Sequence, residues 1–306
     1  MDLSIIIVNL NTRALIGDAL AALPTACDGL RYEILVVDNG SSDGSADFVR
    51  EQFPAVQLIV NDGNLGFARA NNQAIRVAQG EMVLLLNSDT KATPGSIASL
   101  VQFARIHPRA AIVGPRLVNA DGSFQGSAAA FPSLGQESLL LLGDLARRLR
   151  GQTFPYHPLP LDLAPRSVDW VSGACLLIRR SVIDQIGDLD EGYFMYTEET
   201  DWCYRARRAG WDVWWTPTPI VFHLNGATAQ QTFSLKRRQV YGSKIHFLRK
   251  HRSQFQARAF AALVWLTSLF KIAAWSLKAM IGKADQRRQA RQHVKAYLEV
   301  LGVGKA

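Results

Sequence analysis

The chain has 306 residues, 48% hydrophobic and 20% charged, an ordinary globular composition with room for one large or two modest domains. Its three cysteines, Cys27, Cys175 and Cys203, stand far apart, which argues against a disulfide framework or a zinc site and fits a reducing compartment. The net charge of +8 is uneven: from Thr232 onward sixteen Lys and Arg face two acids, Asp285 and Glu299, while the stretch before it holds eighteen bases and twenty-four acids. A mildly acidic body thus carries a basic tail, suited to a membrane surface or a nucleic acid, or else a solvated helical face with no partner.

The opening MDLSIIIVNLN has no basic region ahead of its short apolar run, so Leu3 to Val8 reads as a first strand and not as a signal peptide. Thr12 can cap a helix running to about Leu23, with Pro24 as its stop. Ile34 to Val37 is a second strand, followed by the turn-rich DNGSSDGS and a helix to about Phe53. Val56 to Val60 is a third strand, after which Gly63 and Gly66 frame a loop before a helix to about Gln79. Val83 to Leu86 is apolar throughout, as in a strand covered on both faces, and ends in the polar Asn87-Ser88-Asp89-Thr90. Pro94 starts another helix, and Ala110 to Val113 is a short fifth strand. Strand and helix alternate to this point, the signature of an α/β fold with a mostly parallel sheet and helices on both faces.

From Asp121 to Arg166 the pattern weakens. DGSF reads as a hairpin turn, Leu139 to Arg150 as a short helix, and Pro155, Pro158, Pro160 and Pro165 as a loop-rich connection. Val168 to Arg180 is expected to be a strand, a helix begins near Thr197 and ends at Gly210, and Val213 to Trp215 and Ile220 to His223 are two more short strands. Beyond Thr232 the pattern is helical. Ala259 to Leu277 is long enough to span a bilayer, but Lys271 sits near its middle. At about 100° per residue, Thr267, Lys271, Ala274 and Lys278 share one side while Trp265, Leu269 and Ile272 point away. A helix lying in the membrane interface suits this better than a span. The other possibility is packing on the protein's own surface or on a second subunit.

Three strand ends bring polar groups to one sheet edge: Asn9 and Asn11, Asp38 to Asp43, and Asn87 to Asp89. Ligands of open α/β sheets bind at that edge. A carboxylate there can hold a hard divalent cation and, through it, a diphosphate, unless the residues only form an Asx-type turn or helix cap. The first turn, NLNTRALIG, lacks the G-x-G-x-x-G of a dinucleotide fold, and no Walker-type phosphate loop occurs. Glu198, Glu199 and Asp201 open a helix, either as dipole-complementing surface acids or, beside Tyr193, Phe194, Tyr196 and Trp202, as a site containing a general base. His223 is either a satisfied core residue or a metal ligand.

Taken in order, SIIIVNLN, ILVVDNGSSDGS, NLGFARANNQAI, VLLLNSDT, GACLLIRR, YFMYTEETDWCYRARRAGW and VFHLNG resemble the inverting family 2 glycosyltransferases of GT-A fold, in particular their bacterial rhamnosyltransferase-like branch. The resemblance covers residues 4 to about 226 and leaves the tail outside. It implies a nucleotide-diphospho-sugar transferase domain over 1–231, with a nucleotide-binding half at 1–120 and an acceptor and catalytic half at 121–231, and a helical, membrane-associating tail over 232–306.

By the same resemblance, Asn9, Asn11 and Ser88 line the nucleotide pocket, with Asp38 on the base or ribose. Asn64, Gly66 and Phe67 shape the donor-side loop. Asp89, at the last acid of the D-x-D motif, and His223 hold Mg²⁺ or Mn²⁺. Trp170, Gly173 and Ala174 lie on the acceptor side. Glu199 is favoured as the base over Glu198 and Asp201. Two positions depart from the family pattern: Asn87 replaces the first acid of D-x-D, and Glu199 stands where relatives usually carry Asp.

The implied reaction is inverting transfer of a sugar, rhamnose being one candidate, from a dTDP- or UDP-sugar to a hydroxyl of a glycan or polyprenyl-diphosphate-linked acceptor. The expected location is cytoplasmic, on the inner face of an anionic membrane, with no nucleic-acid partner. The rival readings are a non-catalytic nucleotide-sugar-binding subunit of a glycan assembly complex and a nucleotidyltransferase.

Overall fold

The computed structural model describes residues 1–149, 163–224, 233–281 and 284–302, so Pro155, Pro158 and Pro160 lie outside the described residues. The chain forms two compact units: Met1–Phe131 with His157–Phe194 and Glu198–Thr228, and Pro132–Tyr156 with Met195–Thr197 and Ala229–Ala306. In chain order the first elements are β1 (Leu3–Asn9), α1 (Arg13–Ala26), β2 (Tyr32–Asp38), α2 (Ser45–Gln52), β3 (Gln57–Val60), α3 (Phe67–Ile75), β4 (Met82–Leu86), β5 (Thr90–Ala92), α4 (Ser96–Ile106) and β6 (Ala110–Val118). There follow β7 (Phe124–Gln125), β8 (Ala128–Ala129), α5 (Leu134–Leu149), β9 (Arg166–Ser167), β10 (Trp170–Val171), β11 (Cys175–Arg179), α6 (Arg180–Ile186), α7 (Glu198–Arg208) and β12 (Asp212–His223). Three helices close the chain: α8 (Phe233–His251), α9 (Gln254–Ile281) and α10 (Ala284–Val300).

The main sheet of the first unit runs β3-β2-β1-β4-β11-β6-β12-β5, with β7 beside β6 and β9 beside β12. The first four strands are parallel, as are β6 and β12. Between these groups β11 runs antiparallel to both β4 and β6. The strands are apolar at nearly every position because helices cover both sheet faces. Their side chains alternate accordingly: Ile5, Ile7, Leu84 and Leu86 pack against α1 and α4, and Ile6, Val83 and Leu85 pack in the other core with α3, α6 and α7. This is the α/β, mostly parallel, helix-flanked fold expected.

Several boundaries differ from the sequence pattern. Helix α1 continues through Pro24, because the Cys27 N–H reaches the Leu23 carbonyl at 2.9 Å and closes the next turn. Helix α4 begins at Ser96, after Gly95 in the left-handed region, and not at Pro94. The expected strand over 168–180 divides into β10 and β11, since Ser172 and Gly173 turn the chain between two different sheets. Conversely, the two strands expected at 213–215 and 220–223 are one, β12, whose register shifts between Thr216 and Ile220, where Pro217 and Pro219 donate no hydrogen bonds. The DGSF turn is indeed a hairpin, joining β6 to β7.

The second unit is helical. Leu141 of α5, Ile245 and Leu248 of α8, Phe260 and Val264 of α9 and Val300 of α10 form its apolar centre. A buried ion pair, Lys244 Nζ to Glu137 Oε2 at 2.6 Å, links α8 to α5.

Candidate active site

At the ends of β1 and β2, polar side chains hold one another in fixed positions. Asn9 Nδ2 donates to Asp38 Oδ2 at 2.8 Å and to Ser41 Oγ at 3.1 Å, and the Ser41 N–H donates to Asp38 Oδ1 at 2.8 Å. The Thr12 hydroxyl does not cap α1. It donates to Asn9 Oδ1 and lies 2.9 Å from Ser88 Oγ, joining β1 to the end of β4. Asn11 has φ 54°, and its Oδ1 accepts from the Ser42 N–H at 2.8 Å. Beside them Asn39, not singled out from sequence, accepts from the Leu65 N–H at 3.1 Å and donates to Asn64 Oδ1 at 3.0 Å. Asn64 Oδ1 in turn accepts from the Gly66 N–H at 2.9 Å, so the loop before α3 is fastened to the end of β2.

At the end of β4, Asp89 is buried and its Oδ1 lies 3.3 Å from His223 Nε2. Asn87 Nδ2 lies 3.3 Å from the same nitrogen. The short strand β5 makes this meeting possible, because it pairs Thr90 with His223, and the Leu224 N–H reaches the Asp89 carbonyl at 2.9 Å. The tautomer follows from the hairpin. Gln125 donates its amide N–H to Asn119 Oδ1 at 2.9 Å, which leaves Gln125 Oε1 to accept from His223 Nδ1–H at 2.7 Å. In the neutral imidazole Nε2 is then the nitrogen with the lone pair. An imidazole lone pair and a carboxylate oxygen 3.3 Å apart fit adjacent positions around a small divalent cation, whose octahedral edge is about 3 Å. The donor set therefore suits Mg²⁺ or Mn²⁺. Among the described residues no group of three or more His, Cys, Asp or Glu forms a fuller cage.

The acids of α7 separate by environment. Asp201 is fully buried and paired with Arg205 at 2.8 Å, and Arg205 also donates to the carbonyls of Ile186 and, at 2.7 Å, Asp188. Glu198 is 4% exposed, and its Oε2 has no hydrogen-bond partner among the described residues. Burial, with the neighbouring Glu199 charge adding to it, holds the Glu198 carboxyl well above the usual carboxylate range. Glu199 adjoins the sheet edge: a Cβ built on Gly173 would lie 3.5 Å from Glu199 Cβ and 3.7 Å from Phe67 Cε1. The next residue, Ala174, accepts the Asn87 N–H at 3.0 Å.

The structure thus brings Phe67, Gly173, Ala174 and Glu199 to the edge that carries Asn87, Asp89 and His223, while Thr12 and Ser88 connect that edge to Asn9 and Asp38. Gly66 completes it. Its backbone, at φ 87° and ψ 169°, passes so close to the Phe194 carbonyl that a Cβ would sit 2.5 Å from that oxygen. Trp170 lies in β10, before the Gly173 turn, and donates its indole N–H to the Ala130 carbonyl at 2.9 Å.

Residues 2–242 match the family model described as glycosyltransferase like family 2. The chain belongs to this family. The family 2 chain is 37% identical over 203 residues to an N-acetylglucosaminyl-diphospho-decaprenol L-rhamnosyltransferase of Mycobacterium tuberculosis, a match covering 62% of this chain and 66%, just under two thirds, of that relative. It is 32% identical over 249 residues to the low-salt glycan biosynthesis hexosyltransferase Agl10 of Haloferax volcanii, covering 78% of this chain and 72% of the relative. Among solved structures, the mannosyltransferase PcManGT of Pyrobaculum calidifontis, in complex with GDP-Man and Mn²⁺, shares the fold at a TM-score of 0.56 and 16% identity, over 98% of this chain and 84% of that one. The GT-A fold expected from the resemblance is therefore the fold of this family 2 chain.

Proposed function

We propose that the protein is an inverting glycosyltransferase that moves a sugar from a nucleotide-diphosphate donor to a hydroxyl of a polyprenyl-diphosphate-linked saccharide, with rhamnose from a dTDP donor as the leading candidate. The observation that carries this reading is the shared edge: Glu199 stands against Gly173, whose neighbour Ala174 is hydrogen-bonded to the strand end bearing Asn87 and Asp89. The similarity to a decaprenyl-linked rhamnosyltransferase supports the acceptor class and the sugar.

In this reading Asp38, Asn9 and Asn11 receive the nucleoside, and the Asn64–Phe67 loop bounds the donor. Asp89 and His223 hold Mg²⁺ or Mn²⁺, which when bound neutralises charge on the diphosphate leaving group. Glu199 accepts the proton of the acceptor hydroxyl as that oxygen attacks the anomeric carbon from the face opposite the diphosphate, so configuration inverts. Burial of Glu198 disfavours a second charge beside the base. Asp201 positions α7 through Arg205. Trp170, Gly173 and Ala174 border the acceptor. The catalytic domain is residues 1–231, and the basic tail over 232–306 keeps the enzyme on the cytoplasmic face of the membrane, where such acceptors lie.

A melting-temperature screen of dTDP-, UDP- and GDP-sugars with Mn²⁺ tests the donor, since a ligand of the folded state raises that temperature. Transfer to a short-chain polyprenyl-diphosphate saccharide tests the acceptor. Donor binding without transfer or donor hydrolysis would favour a binding subunit. Release of pyrophosphate from a nucleoside triphosphate would favour a nucleotidyltransferase.

A further inference from the structure

Helix α9 buries Ala257, Phe260 and Val264 in its first half, but from Trp265 onward it packs with its polarity reversed from that of a water-facing helix. The residues it buries include Thr267, Ser268 and Lys271. Their polar atoms are satisfied without water: Thr267 Oγ1 donates to the Leu263 carbonyl at 2.8 Å, Ser268 Oγ donates to the Val264 carbonyl at 2.6 Å, and Lys271 Nζ lies 5.4 Å from the centre of the Tyr297 ring of α10. Further along, Trp275 stacks on His293 of α10 with ring centres 4.0 Å apart. The opposite side is exposed and apolar, with Trp265, Leu266, Leu269, Phe270, Leu277 and Met280 all open to solvent. A soluble surface helix shows the reverse arrangement.

We propose that α9 lies in the plane of an anionic bilayer, its exposed apolar side in the upper acyl region and its polar side retained within the helical unit; the purpose of this seat rests on the lipid-linked acceptor proposed above. Two observations choose lipid over a second copy of the chain. The stretch from Thr232 carries sixteen Lys and Arg against two acids, so two copies meeting there would repel, whereas anionic headgroups attract it. The exposed side also keeps Arg258 near its beginning, where a long cationic side chain can reach headgroups while its stem follows the acyl boundary. Burial of one side from Ala257 to Lys271, in a helix that packs with α5, α8 and α10, distinguishes this seat from a single lipid-encircled span.

The test floats the full chain with vesicles of phosphatidylcholine containing roughly 30% phosphatidylglycerol, without donor or acceptor. Wild-type protein is expected to float with these vesicles, less so at high salt, and to be released by carbonate at about pH 11, as a helix lying in the interface should be. Leu266→Glu/Phe270→Glu should lower the bound fraction about tenfold with an unchanged melting temperature, since both side chains are exposed. The milder Leu266→Ser/Phe270→Ser serves if the charged pair fails to fold. Retained binding in a folded variant would overturn the proposal, as would resistance to carbonate, which indicates a span. A dimer that the variant splits without loss of vesicle binding would overturn it too, making this face an interface between copies. Donor-induced stabilisation is read separately, so failure of the membrane seat and failure of the transferase reading give different results.

Discussion

Replacing Gly66 by alanine should both destabilise the first unit and weaken donor binding. The residue sits at φ 87° and ψ 169°, a conformation nearly confined to glycine, which costs another residue of order 1–3 kcal/mol. The added methyl would also lie 2.5 Å from the Phe194 carbonyl oxygen, which accepts the Phe67 N–H at 2.7 Å. Moving that oxygen away forfeits this bond, about 1 kcal/mol more. The sum is about 2–4 kcal/mol, or about 6–12 °C at roughly 3 °C per kcal/mol for a unit of this size. The loop supplies its own control: a Cβ on Gly63 meets nothing within 4 Å, and Gly63→Ala should leave the melting temperature unchanged or slightly raised. Thermal denaturation of both variants, with nucleotide-sugar titration at saturating Mn²⁺, makes the comparison. If Gly66→Ala melted within about 2 °C of Gly63→Ala, the close approach inferred at Phe194 would be wrong.

Glu199→Gln should lower turnover by about 10²–10⁴ while leaving nucleotide affinity within about twofold, because it removes a base and keeps the shape; equal losses in both would end the assignment. Gln125→Leu should raise the Mn²⁺ concentration needed for donor binding by about 10-fold or more, since His223 loses the acceptor that fixes its tautomer, and calorimetric titration reads this directly. Glu198→Gln should stabilise the fold at neutral pH. The folded state raises the Glu198 pKa above its unfolded value, so the favourable contribution of the wild-type carboxyl is full below about pH 4.5 and is lost as pH rises toward the folded pKa, at about 1.4 kcal/mol per pH unit. The advantage of the variant should therefore shrink on acidification, and a pH-independent difference in melting temperature would contradict the burial argument.

The positions of Asn9, Asp38 and Asp89 were legible in the sequence because each lies at or within three residues of the end of an apolar strand, and parallel strands deliver such residues to one edge. Glu199 was legible as an acid opening a helix, yet its distinction from Asp201 was not. That depends on Arg205, one turn later, gathering Asp201 together with carbonyls of the 186–188 loop. The roles of Gln125, Asn39 and Thr12, the last expected as a helix cap, were not legible because they are set by long-range register, in Gln125's case by a two-residue strand paired with β6. Strand β5 has three residues, too few to show a period. Strand β12, expected as two, is one because the sheet absorbs Pro217 and Pro219 at a change of register. In α9 the helical wheel separated the buried Thr267 and Lys271 from the exposed Trp265 and Leu269, but Ala274 and Lys278, on the first side, are exposed. Which side would turn inward depended on Tyr297 and His293, residues of the following helix.

The reversed direction of β11 has an evolutionary corollary. A strand running against its neighbours presents its leading loop where they present their trailing ones, so Ser172 to Ala174 emerges beside Asn87 without a long connection. Backbone pairing of Cys175 with Leu86, and of the pairs behind it, sets how far apart those two loops stand. Because peptide groups hold that gauge, apolar side chains along β4 and β11 can be exchanged for others of similar volume during divergence while the groups at the rim keep their spacing.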